Sequence, residues 1–308
     1  MDDLLSVKDA SKDLEGLLAD AQRFKDARRE ARHHTPLRGR TLAMIFEKAS
    51  TRSRISFEVG MAHLGGAALY LNRQDMQLGR GETLEDTARV LSRYVDAILY
   101  RAYRHEDVVR LAEAASVPVI NGLDDLEHPA QILSDLFTIR EALGEFRGRR
   151  LAYVGDGNNV CNSLLLGCAL AGMDIAVACP ARYKPDAGIL ATAERTASQG
   201  GSRLEVLQNP ARAVAEADVV YTDAWVSMGM EEERKEREQV FQPYQVNRKL
   251  VSKAEPEVRV MHPLPAHRGL EITDAVLDGP ASLVWEQAEN RLHLQKALLV
   301  RLLGATDS

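Results

Sequence analysis

Short apolar runs alternate with longer amphipathic runs along nearly the whole chain, and that alternation leaves few folds open. Thr41 to Phe46 reads as a buried strand and Ile55 to Leu64 as a helix. Ala67 to Leu71, Asp96 to Tyr100 and Val117 to Asn121 read as further strands, with helices predicted over Glu82 to Tyr94 and His105 to Ala115. His128-Pro129-Ala130-Gln131 opens a long helix, Ile132 to Leu143, with proline in a first-turn position where its missing N–H costs nothing. The same rhythm then returns. Leu151 to Val154, Ile175 to Ala178, Leu204 to Leu207, Val219 to Thr222 and Val258 to Met261 read as strands, with helices over Asn159 to Ala171 and Ala187 to Ser198. A strand regularly followed by a helix implies an α/β fold, a parallel sheet with helices on its faces. Val7 to Glu30 suggests one or two surface helices, Glu231 to Glu238 a solvated helix face, and Leu283 to Trp285 a last strand leading into a final helix.

At 308 residues the chain exceeds one ordinary core and suggests two domains, jointed at Gly144 to Gly148: residues 1–143 and 144–285, with a terminal helix over about 286–303. No apolar run is long enough to span a bilayer, and the acidic start Met1-Asp2-Asp3 is unlike a signal peptide, so a cytoplasmic protein without membrane partners is expected. Cys161, Cys168 and Cys179 lack zinc-ligand spacing and are expected to be small core residues. His33, His34, His63, His105, His267 and His293 show no ligand-like grouping and read as surface or packing residues. A formal charge of −6 argues against nucleic acid, which needs a basic footprint; a small anion needs only a local basic cluster.

That cluster is Ser50-Thr51-Arg52-Ser53-Arg54, at the junction of the first strand with its helix. Unpaired N–H groups and the positive end of the helix dipole make such a turn suited to an oxyanion, to which short hydroxyls and bidentate guanidinium groups add donors. A plainer reading makes Ser50 only an N-cap and the arginines only a solvated face. Other unusual residues also follow strands: Arg101; His128 and Gln131; Gly155 to Asn159; Asp223 to Met228; His262 to Pro265. Ligands of open parallel sheets sit beyond the carboxyl ends of the strands, so a composite site between two domains is expected. Ser50, Thr51, Arg52, Arg101 and His128 suit a compact dianion, and Gln131 and the Leu264 carbonyl suit an amide; together these fit an acyl phosphate. Asp223 and Asn159 suit an ammonium or an amino acid, the acceptor. No side chain is placed as a covalent nucleophile, which favours direct transfer.

Taken together, these motifs resemble the aspartate/ornithine carbamoyltransferase family from Leu37 to Leu303. Ser50-Thr-Arg-Ser-Arg54 is similar to its Ser-Thr-Arg-Thr-Arg signature, His128-Pro-Ala-Gln131 to its His-Pro-x-Gln, and Glu289-Asn290-Arg291 to its Glu-Asn-Arg. Asp223 to Gly229 and Gly155 to Asn159 resemble elements of the ornithine branch. The resemblance implies two doubly wound parallel-sheet domains, the first binding carbamoyl phosphate and the second L-ornithine, with the terminal helix packing back on the first. It places carbamoyl phosphate on Ser50, Thr51, Arg52, Ser53, Arg101, His128, Gln131 and Arg291, with Gln77 reaching in from a neighbouring subunit of a homotrimer or a multiple of trimers. It places ornithine on Asn159, Asp223, Ser227 and Met228, assigns catalysis to Arg101, His128, Asp223, Pro263 and Leu264, and calls for no metal or organic cofactor. Closure of the domains and of the Asp223 to Gly229 loop over the ligands is also implied. The chain departs from the pattern at three positions. Ala49 and Ser53 replace a proline and a threonine, and Pro263 stands where the ornithine branch carries a cysteine that contacts the reacting amine.

Two rival classes predict different observations. Gly155-Asp156-Gly157 after a strand resembles a dinucleotide fingerprint, but Val160 takes the third glycine's place and Ala178-Cys179-Pro180 lacks the acidic residue expected for ribose. A non-catalytic binding protein of the same fold would bind carbamoyl phosphate without forming product. Within the family, aspartate, putrescine or an acylated ornithine is the competing acceptor.

Overall fold

In the computed structural model the described residues are 2–32, 34–226 and 231–304. A 3₁₀ turn at Val7–Ala10 and helix α1 (Leu14–Arg29) precede the first sheet. That sheet contains β1 (Thr41–Phe46), β2 (Ala67–Asn72), β3 (Ala97–Arg101) and β4 (Val119–Leu123), connected through α2 (Thr51–His63), α3 (Leu84–Leu91) and α4 (His105–Ala114). Helix α5 (Pro129–Leu143) leads to the second sheet: β5 (Arg150–Val154), α6 (Asn159–Ala171), β6 (Asp174–Ala178), α7 (Ala187–Gly200), β7 (Leu204–Leu207), α8 (Pro210–Val214) and β8 (Val219–Tyr221). Then come α9 (Arg234–Phe241), α10 (Arg248–Val251), β9 (Arg259–Met261), α11 (Asp274–Leu277) and α12 (Val284–Leu302).

Every pairing in both sheets is parallel, in the orders β2-β1-β3-β4 and β7-β6-β5-β8-β9. These orders matter for function. The winding reverses between β1 and β3 in the first sheet and between β5 and β8 in the second, and such switch points leave a crevice at the strands' carboxyl ends. The central strands β1, β3 and β5 are buried almost throughout, which explains why they read as continuous apolar runs rather than as alternating ones. Two compact units result. One comprises residues up to Phe137 together with those from Glu289 onward; the other runs from Thr138 to Ala288. The terminal helix packs back on the first unit: Lys25 donates to Asn290 at 2.7 Å, and Arg301 pairs with Asp13 at 2.7 Å and Asp20 at 2.6 Å.

Two expectations need correction. Leu283 to Trp285 is not a strand, because Val284 already begins α12; only an isolated bridge remains, with the Leu283 N–H donating to the Val260 carbonyl at 2.8 Å. After β2, two 3₁₀ turns, Arg73–Asp75 and Gln77–Arg80, lead toward α3. The charge run of α9 is not wholly a solvated face, since Arg237 is buried against Asp156 at 2.8 Å. The cysteines are buried, as expected.

Candidate active site

The first switch point gathers cations. Ser50, extended at φ −156°, caps α2 by accepting from the Ser53 N–H at 3.2 Å, so the helix begins at Thr51 rather than at Ile55 and lifts Thr51, Arg52 and Ser53 into its first turn. Arg101 ends β3 directly beside Phe46, the last residue of β1. A register shift in the pairing with β4 occurs between Tyr100 and Arg101, the kind of bulge that re-aims a side chain. Glu47 ties the two strand ends together: its buried carboxylate accepts from the Tyr100 hydroxyl at 2.9 Å and the Tyr103 N–H at 2.7 Å, and pairs with Arg73 at 2.5 Å.

His128 and Gln131 stand at the start of α5, both buried. Arg291, on α12, donates to the Ser53 hydroxyl at 2.6 Å. Serine in place of threonine at position 53 therefore retains the one group this contact uses. The cations press on one another: burial, then the Arg291 and Arg52 charges, push the Arg101 guanidinium down to about 9. Burial, followed by Arg291, Arg101 and Arg52, holds His128 well below its ordinary value, so its imidazole is neutral. Among the described residues, Arg101 makes a 3.5 Å contact with the Gly122 carbonyl and its Nε has no hydrogen-bond partner. Gln131 donates to Asp135 at 2.9 Å, and its buried Oε1 has no hydrogen-bond partner among the described residues. Gln77 is exposed at the start of the 3₁₀ turn Gln77–Arg80, and among the described residues its side chain makes no hydrogen bond.

The second switch point gathers acids. Gly155, at φ +151°, takes the chain out of β5 in a conformation that an L side chain would strain, and a Cβ on Gly157 would lie 2.3 Å from the Lys184 backbone. Asn158 caps α6 through its carbonyl oxygen, and its amide donates to Asp223, just beyond β8, at 2.8 Å. The neighbour Asn159, expected to bind ligand, opens α6, while Asn158 is the residue that orients the carboxylate. Burial raises the Asp223 carboxyl above the ordinary range, with the Asn158 hydrogen bond opposing. Asp156 is likewise pushed up to about 6 by burial, against the pull of Arg237. Arg237 also donates to the Trp225 carbonyl at 3.1 Å, and Trp225 stacks on Phe241 with centroids 6.0 Å apart, which makes it a core residue. Ser227 and Met228 lie outside the described residues.

Beyond β9, the Leu264 N–H donates to His262 Nδ1 at 2.9 Å, so the other ring nitrogen, 3.1 Å from Glu271, carries the proton. Leu264 is held at φ +56°, a strained conformation that fixes the direction of its carbonyl, and Pro263 is buried beside it. His262 and Glu271 were not assigned roles from the sequence. The signal available was the histidine one residue before Pro263; its partner lies nine positions on.

The chain's similarities to known proteins agree with this geometry. Residues 2–141 match the carbamoyl-P binding domain of aspartate/ornithine carbamoyltransferase and residues 147–302 match its Asp/Orn binding domain. The ornithine carbamoyltransferase of Methanoculleus marisnigri is 56% identical over 98% of this chain and 97% of its own length. That of Methanothermobacter thermautotrophicus is 62% identical over 87% of this chain and 89% of its own. The solved ornithine carbamoyltransferase of Pyrococcus furiosus superposes with a TM-score of 0.96 at 53% identity, covering 99% of this chain and 98% of that one. With both domains matched in order along nearly the whole chain, the chain belongs to the aspartate/ornithine carbamoyltransferase family.

Proposed function

We propose that the protein transfers the carbamoyl group of carbamoyl phosphate to the δ-amine of L-ornithine, giving L-citrulline and phosphate, by direct attack in a ternary complex. The observation that carries this reading is the cation cluster of buried Arg101 and Arg291 with half-buried Arg52 around a neutral His128, whose mutual repulsion a dianion would relieve. Carbamoyl phosphate sits on residues 1–143 and the terminal helix, ornithine on residues 144–285. The phosphate rests on the α2 N-terminus and the guanidinium groups of Arg52, Arg101 and Arg291. His128 donates to the carbamoyl oxygen, while Gln131 Oε1 and the Leu264 carbonyl accept from the carbamoyl amide. The neutral δ-amine attacks the carbonyl carbon, a C–N bond forms, the C–O bond to phosphate breaks, and the proton lost by the amine passes to the departing phosphate. An amine of pKa about 10 is protonated at pH 7, a handicap of roughly 4 kcal/mol. Asp223, with its raised carboxyl, orients the amine and helps remove its charge.

Assembly as a homotrimer, or a multiple of trimers, with Gln77 lent to a neighbour's phosphate site, is supported by Gln77's exposure and by Ile55 and Leu69, 52% and 49% exposed on α2 and the edge strand β2. We place the enzyme in the cytoplasm, in arginine metabolism; a relative from Pyrococcus furiosus is named anabolic, and no described helix is long and apolar enough to cross a membrane.

The test is product formation from carbamoyl phosphate with ornithine, aspartate, putrescine and N-acetylornithine. Citrulline from ornithine at the highest kcat/KM supports the assignment; turnover of another amine alone reassigns the acceptor, and binding without turnover marks a non-catalytic homologue. Asp223→Asn should lower kcat/KM for ornithine about 10²-fold or more, the range of a lost positioned base, and an unchanged value removes Asp223 from the mechanism.

A further inference from the structure

The free edge of the first sheet is covered by residues 3–7, and that strap ends on the residue before His128. The Leu4 N–H donates to the Val119 carbonyl at 2.9 Å and the Asn121 N–H to the Leu4 carbonyl at 2.8 Å, adding a short parallel bridge beside β4. Asp3 accepts from the Val119 N–H at 2.7 Å, and the Asn121 amide donates to the Leu5 carbonyl at 3.0 Å. Leu4 and Val7 are fully buried, so the strap is docked by apolar area as well as by the ladder. Ser6 then caps the 3₁₀ turn Val7–Ala10, accepting from the Lys8 N–H at 3.3 Å, and its hydroxyl proton goes to Glu127 Oε1 at 2.6 Å. The Val7 N–H donates to the other oxygen, Oε2, at 3.1 Å. Glu127 is 2% exposed, so both oxygens of a buried carboxylate are held by the strap. On its inner side the same turn is held by Asp124, whose Oδ1 accepts from the Leu126 N–H at 2.8 Å and the Glu127 N–H at 2.7 Å.

We propose that Glu127 is a positioning residue for carbamoyl-phosphate recognition: clasped by Ser6 and Val7, it fixes the turn that delivers His128 and Gln131 to the acyl phosphate. This rests on the carbamoyl-transfer reading above. His128 follows Glu127 directly, and its carbonyl begins α5 by accepting from the Gln131 N–H at 3.1 Å and the Ile132 N–H at 3.2 Å. Rotation of Glu127 therefore moves the imidazole and the amide together. A carboxylate is the group required, because both partners are donors; an amide must turn its NH₂ toward the Ser6 hydroxyl or the Val7 N–H.

The test compares Glu127→Gln, Ser6→Ala and the double variant with the unchanged protein, through steady-state kinetics in each substrate and calorimetric titration with carbamoyl phosphate. KM for carbamoyl phosphate should rise about tenfold in Glu127→Gln, short of the ~10²-fold that a full ångström of misplacement costs, while KM for ornithine stays the same. Ser6→Ala should show a smaller rise, and the double variant should match Glu127→Gln, because both act through one contact. A fall in kcat alone with both KM values unchanged, or additive effects, overturns the positioning role and indicates a merely structural strap. If the unchanged protein does not bind carbamoyl phosphate at all, the assignment of the site itself fails, a result separable from normal binding in the variants.

Discussion

Replacing Arg101 by methionine should make the protein more stable while abolishing its activity. Arg101 is 5% exposed, and the lowering of its guanidinium to about 9 by burial, Arg291 and Arg52 corresponds to roughly 4–5 kcal/mol against the charged form. The sign follows from the direction of the shift. A cation whose folded value lies below its unfolded one destabilises the fold fully at any pH below about 9, and the penalty lifts only as the pH rises beyond that. At pH 7 the whole penalty is present. Against it stand one 3.5 Å contact with the Gly122 carbonyl and the packing of the aliphatic stem, which methionine largely reproduces. Replacements of buried charge by apolar side chains of similar volume stabilise by about 1–4 kcal/mol, so a gain of ~1–3 kcal/mol is expected. For a unit of this size each kcal/mol moves the midpoint by roughly 2–4 °C.

Because the chain divides into two compact units, the transition to follow is the one that inorganic phosphate shifts in the unchanged protein. Calorimetry in phosphate-free buffer should place that transition higher in Arg101→Met, and added phosphate should raise it less than in the parent. Citrulline formation should fall by at least 10²-fold, as expected when a group that stabilises developing charge is lost. A variant less stable than the parent in phosphate-free buffer would refute the claim that Arg101 is held under repulsion. A variant with parental kcat/KM would remove it from the anion site.

Two further outcomes are expected. Pro263→Cys should raise the rate with ornithine by roughly tenfold, the scale of one hydrogen bond worth about 1.4 kcal/mol, and a lower rate in the citrulline assay would mean that the rest of the site has adapted to proline. The hydrogen bond from His105 Nδ1 to Asp124 at 2.7 Å raises the His105 value above 6.5, so its contribution to stability is complete below 6.5 and is lost as the pH rises through the higher folded value. Urea midpoints should therefore fall with pH in that window, and His105→Ala should flatten the slope; an unchanged slope assigns it to other groups.

The sequence revealed elements wherever local pattern and local caps agreed. β1, α6 and β7 have the boundaries read from the chain, α6 because Asn158 supplies its cap one residue earlier. Ser50 is an N-cap, as the plainer reading had it, and that role is also what brings Thr51 and Arg52 into the first turn. The misreadings have two causes: a partner far along the chain, and an apolar run too short to choose between strand and helix. Arg237 looked solvated because Asp156, 81 positions away, is not visible to a periodicity argument. Leu283 to Trp285 looked like a strand because a short apolar run fits either state, and here the continuing α12 decided it. Glu127 gave no signal, since its partners Ser6 and Val7 lie 121 and 120 positions before it.

The two switch points carry opposite electrostatic strain, and this accounts for the order of chemistry along the chain. The first unit confines like-charged guanidinium groups whose repulsion an anion relieves; the second holds a desolvated carboxyl, Asp223, whose charged form a cationic amine would stabilise. Each substrate thus stabilises the unit that binds it, and neither half-site suits the other's ligand. A carboxylate introduced among the cations should therefore weaken carbamoyl-phosphate binding while making the unliganded first unit more stable. The Arg101→Met experiment separates those same two quantities, because it removes positive charge without adding a competing anion.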